Sequence, residues 1–145
     1  MEYNNRPAIL TTRVVDAPIA KVFEAWTNPV YLSKWWGPNG FTNSFLQYDL
    51  HLGGIWDFIM HAPDGKDYPN KCEFIAIEPP YHIAWHHLTP PPFDVDVQLE
   101  EEGAKTRVLF RMLFDRVEDR DKKAAFVLSL NEENMDKLEA LLKTI

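Results

Sequence analysis

From Glu118 to its C-terminus the chain contains no proline and no glycine, although 11 prolines and 6 glycines punctuate the residues before it. Ala124, Val127, Leu128, Met135, Leu138 and Leu142 recur there at helical spacing, which predicts one long amphipathic helix. A helix of that length must lay its apolar stripe on a matching surface. Asn131 interrupts the stripe, and a polar side chain on a buried helix face requires a hydrogen-bond partner. Ligand, water and a sheet residue are the alternatives for that partner.

The surface it covers is read from Phe41 to Phe114, where the signals are those of strands. FTNSFLQYDLHL and IWDFIMH flank Gly53-Gly54 and predict a hairpin whose tight turn uses glycine at positive φ. Ala62-Pro63-Asp64-Gly65-Lys66 makes a turn, KCEFIAIE a strand, Pro79-Pro80 a break, and HIAWHHL a further strand. After Pro90, Pro91 and Pro92, VDVQLEEEGAKTRVLFRMLF closes as a hairpin around Glu102-Gly103. Phe93, Val95, Val97 and Leu99 alternate in it against Val108, Phe110, Met112 and Phe114. With the β-branched ILTTRVV of residues 9–15, this makes about seven mostly antiparallel strands.

Between the first strand and the rest lie two short helices. Asp16-Ala17-Pro18 predicts a helix start with Asp16 as cap, and Ile19, Val22, Phe23 and Trp26 share the face that follows. Thr27-Asn28-Pro29 stops this helix and starts a second, which runs to Trp35 or Trp36 before Gly37-Pro38. Helical neighbours diverge by roughly 100°, so the adjacent indoles of Trp35 and Trp36 cannot both enter the core. One anchors the helix and the other covers an edge.

A length of 145 residues suits one domain with one core, and 46% hydrophobic with 26% charged residues is a folded composition. An aromatic content of 13% demands either a tight core or an aromatic-lined pocket. The formal charge of -7, with no basic run, argues against nucleic acid as a partner. Cys72, the single cysteine, excludes an internal disulfide and fits a reducing compartment. The start MEYNNRPAIL is no leader, and no stretch approaches ~20 apolar residues, so a cytoplasmic protein without membrane insertion is expected. The expected architecture is α+β, a curved antiparallel sheet with one helix across its concave face. If that helix stands off the sheet, a cavity lies between them.

The segments RVVDAPIAKVFEAWTNPVYLSKWWGP, YDLHLGGIWDFIMHAPDGK and EFIAIEPPYHIAW, in this order, resemble the family of domains homologous to the activator of the heat-shock-protein-90 ATPase. That family lies within the START-like, or SRPBCC, superfamily, and the likeness runs from about residue 9 to residue 142. The resemblance implies a helix-grip fold: a seven-stranded antiparallel sheet around the long C-terminal helix, enclosing a cavity for a hydrophobic small molecule. It also implies that WWGP closes the second helix at the cavity edge. The chaperone activator itself carries an additional N-terminal domain, for which 145 residues leave no space, so chaperone binding is not expected.

Strand faces and family position together nominate Trp35, Trp56, Phe58, Met60, Cys72, Phe74, Trp85, Phe110, Asn131 and Met135 as the cavity lining. No cofactor and no metal is expected. His82 and His86 lie four residues apart on a strand, about 13 Å at ~3.3 Å per residue, too far for Zn–N bonds near ~2.1 Å. A two-residue turn at Gly53-Gly54 puts His51 and His61, and likewise Asp49 and Asp57, on opposite faces. Cys72 reads as a small buried filler rather than a nucleophile, Glu100-Glu101-Glu102 as a solvated hairpin end. No phosphate-binding glycine pattern and no G-x-S-x-G elbow occurs. The leading expectation is non-covalent binding of an apolar or aromatic small molecule by a carrier or sensor module. A polyketide-cyclase-like acid/base enzyme is the alternative, a chaperone co-factor the third reading, and homodimerisation stays open.

Overall fold

The computed structural model describes residues 5–145, so the first four residues of the MEYNNRPAIL segment lie outside the described residues. The chain runs β1 (Ala8–Val15), α1 (Ile19–Thr27), α2 (Pro29–Trp35), β2 (Thr42–Tyr48), β3 (Ile55–His61), β4 (Asp67–Glu78), β5 (His82–His87), β6 (Phe93–Glu102), β7 (Lys105–Leu113) and α3 (Val117–Leu142). The strands form a single antiparallel sheet in the order β1-β7-β6-β5-β4-β3-β2. Because β1 and β2 are its two edges, the connection through α1 and α2 must cross from one edge to the other. It does so on the side that α3 occupies, which is the helix-grip arrangement.

The helix starts follow their local chemistry unequally. Asn28 Oδ1 accepts from the Val30 amide at 2.9 Å, and Pro29 opens α2 as its first residue. At α1, by contrast, Pro18 occupies the capping position and no side chain caps the helix, so Asp16 does not act as its cap. Val22, Phe23 and Trp26 form the buried face of α1 as the spacing predicts.

The β6–β7 hairpin keeps the expected register, with Val95 opposite Met112, Val97 opposite Phe110 and Leu99 opposite Val108. The β2–β3 hairpin does not. A six-residue connection, Asp49 to Gly54, replaces the two-residue turn, and the strands pair Tyr48 with Trp56 and, past an irregularity between Phe45 and Gln47, Phe45 with Phe58. The reason is local. Gly53 (φ 78°) and Gly54 exchange hydrogen bonds with Phe74 of β4, Gly53 N–H to Phe74 O at 2.9 Å and Phe74 N–H to Gly54 O at 3.0 Å, so the glycines extend the sheet instead of turning it.

In α3 the buried residues are Val127, Asn131, Asn134, Met135, Leu138 and Leu142, one face of the helix. Leu128, expected on that stripe, is 48% exposed, and Phe126 beside it 55%. The buried face therefore begins three turns into the helix. Arg13 of β1 ties the later part to the sheet edge, donating to Asp136 at 2.5 Å, Glu139 at 2.8 Å and Glu132 at 2.7 Å.

Candidate functional site

Where α2 ends, the adjacent tryptophans separate. Trp35 is buried and its indole N–H donates to the Ala25 carbonyl at 2.9 Å, which pins α2 to α1. Trp36, one residue on, is partly buried and turns toward the sheet. Its ring lies 5.7 Å from Trp85, 5.9 Å from Trp56 and 6.1 Å from Phe110. Trp35 anchors, and Trp36 covers the edge.

Trp36 is one wall of a recess of about 210 Å³ between the sheet and α3. Gly37 and Pro38 continue that wall; Phe58 and Met60 of β3, Asn70 and Cys72 of β4, Trp85 and His87 of β5, Phe93 and Val95 of β6 and Met112 of β7 supply the floor. Val127, Leu130, Asn131 and Asn134 of α3 form its roof. The structure thus brings Phe58, Met60, Cys72, Trp85 and Asn131 of the expected lining together. Trp35, Trp56, Phe74, Phe110 and Met135 are buried in the core instead, behind the lining rather than in it.

Among the described residues no aspartate, glutamate, lysine or arginine lines the recess. Burial pushes the Cys72 thiol well above its ordinary range and the charge of Asp57 adds to the rise, so Cys72 is a protonated filler and no thiolate nucleophile. His87 sits between two oxygens, the Thr89 carbonyl 2.8 Å from Nδ1 and Asn70 Oδ1 2.7 Å from Nε2. Burial pushes its pKa down, and with one N–H the neutral ring can donate to only one of these two oxygens. Phe93 stacks on His87 at 4.5 Å and meets Phe114 at 5.8 Å. Behind Phe114 a second, outer groove of about 390 Å³ runs under the start of α3, lined by Pro91, Pro92, Phe126 and the charged Asp115, Asp119, Lys122 and Lys123. Phe93 of the inner recess thus packs against Phe114 of the charged outer groove.

The polar side chains of the inner recess divide between the sheet, where Asn70 and His87 bond to each other, and α3. Asn134 Oδ1 accepts from the Gly37 amide at 2.9 Å, and Asn131 Nδ2 reaches only the thioether of Met112 at 3.6 Å. Trp36, Asn70, His87 and Asn134 were absent from the expected lining. Asn134 is one helical turn beyond Asn131 on the same face, and that i, i+3 spacing was the signal available for it.

On the opposite face of the sheet exposed Ser44 and Asp67 are linked through half-buried His61, Ser44 Oγ to His61 Nε2 at 2.7 Å and His61 Nδ1 to Asp67 Oδ1 at 2.7 Å. The order is that of a nucleophile, a base and an orienting acid, met without the sequence elbow that usually marks it. It lies on a flat outer strand face and lines neither recess. A second outer chain links Glu78, His82 and Asp96. Among the described residues no cluster of three or more His, Cys, Asp or Glu is arranged to hold a metal, and no helix is long and apolar enough to cross a membrane.

Comparison with solved structures gives close likenesses at low identity. A Nitrosomonas europaea protein superposes with a TM-score of 0.88 at 21% identity, over 94% of each chain. An Arthrobacter aurescens protein gives 0.87 at 21% identity over 99% of this chain and 94% of its own. The AHSA1 protein of Silicibacter pomeroyi gives 0.75 at 19% identity over 94% of this chain and 98% of its own. At such identities these likenesses carry the fold. No curated protein sequence matches. A family model described as "Activator of Hsp90 ATPase homolog 1-like protein" matches residues 16–143, and by that match the chain belongs to the family.

Proposed function

We propose that the chain is a single-domain binding module that holds an apolar or aromatic small molecule non-covalently, without a cofactor, as a cytoplasmic carrier or sensor. The observation that carries this reading is the inner recess: aromatic rings from the residue that caps α2 and from β3, β5 and β6 converge on it, and among the described residues its lining holds no Asp, Glu, Lys or Arg. An acid/base cyclase would draw on carboxylate, histidine or asparagine groups in the cavity; the lining offers His87 and three asparagines but no carboxylate to pair with the histidine, which favours the binding reading. The formal charge of -7 supports leaving nucleic acid out of the reading.

Native mass spectrometry of the gently purified chain, joined to titration with the uncharged two-ring dye 1-naphthylamine, tests it. An adduct of a few hundred daltons lost on denaturation, or saturable dye fluorescence, is the expected result. Trp36→Ala should weaken the dye at least tenfold with the fold kept, whereas Trp35→Ala should act on stability, by about 3–5 kcal/mol for a fully buried tryptophan. A bare protein that also ignores the dye defeats the proposal.

A further inference from the structure

Asn131 and Asn134 are 6% and 5% exposed, and both line the recess. Each uses one end of its amide on the protein. The Gly37 N–H can only donate, so it takes the Asn134 carbonyl and leaves the Asn134 NH2 group free. The Met112 sulfur is an acceptor, so it takes the Asn131 NH2 group and leaves the Asn131 carbonyl free. Among the described residues neither free end has a hydrogen-bond partner. Neither end is sealed in the core, so a donor and an acceptor side by side on one helix face are presented to whatever fills the recess, and a guest that displaces water there must match both.

Three further observations limit what enters. Among the described residues no carboxylate, lysine or arginine lines the space, so an ion would lose its hydration with no counter-charge. The walls are flat: Trp36 and Trp85 stand 5.7 Å apart at 77° to one another, offering ring faces and edges to a planar guest. The volume of about 210 Å³ exceeds an apolar cavity of about 150 Å³ that admits a single benzene ring, and falls below the ~300 Å³ where sites for drug-sized ligands begin.

Resting on the binding reading above, we infer that the ligand is an uncharged, planar aromatic of two rings carrying a hydrogen-bond acceptor for Asn134 and an adjacent donor for Asn131, as in a cyclic amide or a hydroxyketone. Long acyl chains, aromatic carboxylates and extended polycycles are excluded by the same geometry. Asn131 and Asn134 are then the specificity-determining pair, and the aromatic walls contribute affinity without selecting among flat guests.

Three probes separate this inference from the reading beneath it: carbostyril, a two-ring cyclic amide; naphthalene, its apolar counterpart; and the naphthoate anion. Binding of each to the full chain is measured by tryptophan fluorescence and calorimetry. Carbostyril should bind at least tenfold more tightly than naphthalene, and naphthoate more weakly than either, because a site built to hydrogen-bond its guest rejects the analogue lacking those groups. In Asn131→Leu the preference should fall below threefold through gain of naphthalene binding. Asn134→Asp keeps the acceptor for Gly37 but removes the donor, and should lose carbostyril while naphthalene still binds. Equal binding of carbostyril and naphthalene to the wild-type chain, or a preference that survives both substitutions, overturns the inference and leaves the apolar recess standing. Failure of all three probes overturns both.

Discussion

His82 and His87 belong to the same six-residue strand and are driven in opposite directions by what each faces. On the outer face His82 Nε2 meets Asp96 Oδ1, and Nδ1 meets Glu78 Oε1 at 2.6 Å. The hydrogen bond to Asp96 raises its pKa against the opposing effect of burial. On the inner face burial lowers that of His87, the nearby charges of Lys123 and His86 act in the same direction, and the Thr89 carbonyl opposes them. An imidazole NMR titration should therefore place His82 above the ordinary value of about 6.5 and His87 below it. Because the folded state holds the His82 proton more tightly than the unfolded chain does, the stability this group contributes is complete below pH ~6.5 and is lost as pH rises through its raised folded value. His82→Gln should accordingly cost most between about pH 5 and 6.5, and the difference from wild type should shrink on the alkaline side. A difference that stayed constant into the alkaline range would show that His82 and its carboxylates are not coupled. Sequence placed both histidines on a strand. It could not supply their charge environment, which comes from β4 and β6 in one case and from a loop after the strand in the other.

At the scale of elements, alternation and punctuation carried the seven strands, the three helices and the β6–β7 register, because these depend on neighbours within one segment. The β2–β3 connection depended on a third strand and was misread. Gly53 and Gly54 looked alike in sequence, yet Gly53 sits at positive φ with open space around a Cβ, while a Cβ on Gly54 would lie 2.0 Å from the Asp49 carbonyl oxygen. Gly53→Ala should therefore destabilise the protein by about 1–2 kcal/mol, the cost of a side chain in the left-handed region. Gly54→Ala should cost more, since the backbone of the connection must move and its hydrogen bonds to Phe74 move with it. Urea denaturation of the two variants decides the order, and the reverse ranking would mean that the loop yields freely at Asp49. The same third-strand dependence explains the site. Phe58, Met60, Cys72 and Trp85 were legible from strand faces and family position together, and Asn131 from its break in the helical stripe, whereas Trp36 was hidden behind its neighbour until the Ala25 carbonyl claimed Trp35.

Over the whole molecule the recess persists only if α3 is held at a fixed height above the sheet, and the ties that hold it are polar and lie at its two flanks. On one side Arg13 of β1 gathers Glu132, Asp136 and Glu139; on the other, Asn134 holds the Gly37 amide and Lys137 donates to the Pro38 and Phe41 carbonyls at 3.2 and 3.3 Å. Among the described residues the start of the helix has no such polar tie to the sheet, its first buried residue being Val127. Removing Arg13 leaves three carboxylates on adjacent turns to repel one another next to the sheet edge. Arg13→Met, which keeps the side-chain bulk, should lower stability by roughly 1 kcal/mol, a modest value because the carboxylates face water, and molar salt should erase most of the difference by screening both the attraction and the repulsion. Hydrogen exchange should localise the effect: amides of α3 from Val127 onward lose protection, while those of β5 and β6 keep theirs. If exchange instead accelerated evenly through sheet and helix, Arg13 would be one contributor to a single cooperative unit, and the height of α3 would be set by the buried contacts of Met135, Leu138 and Leu142.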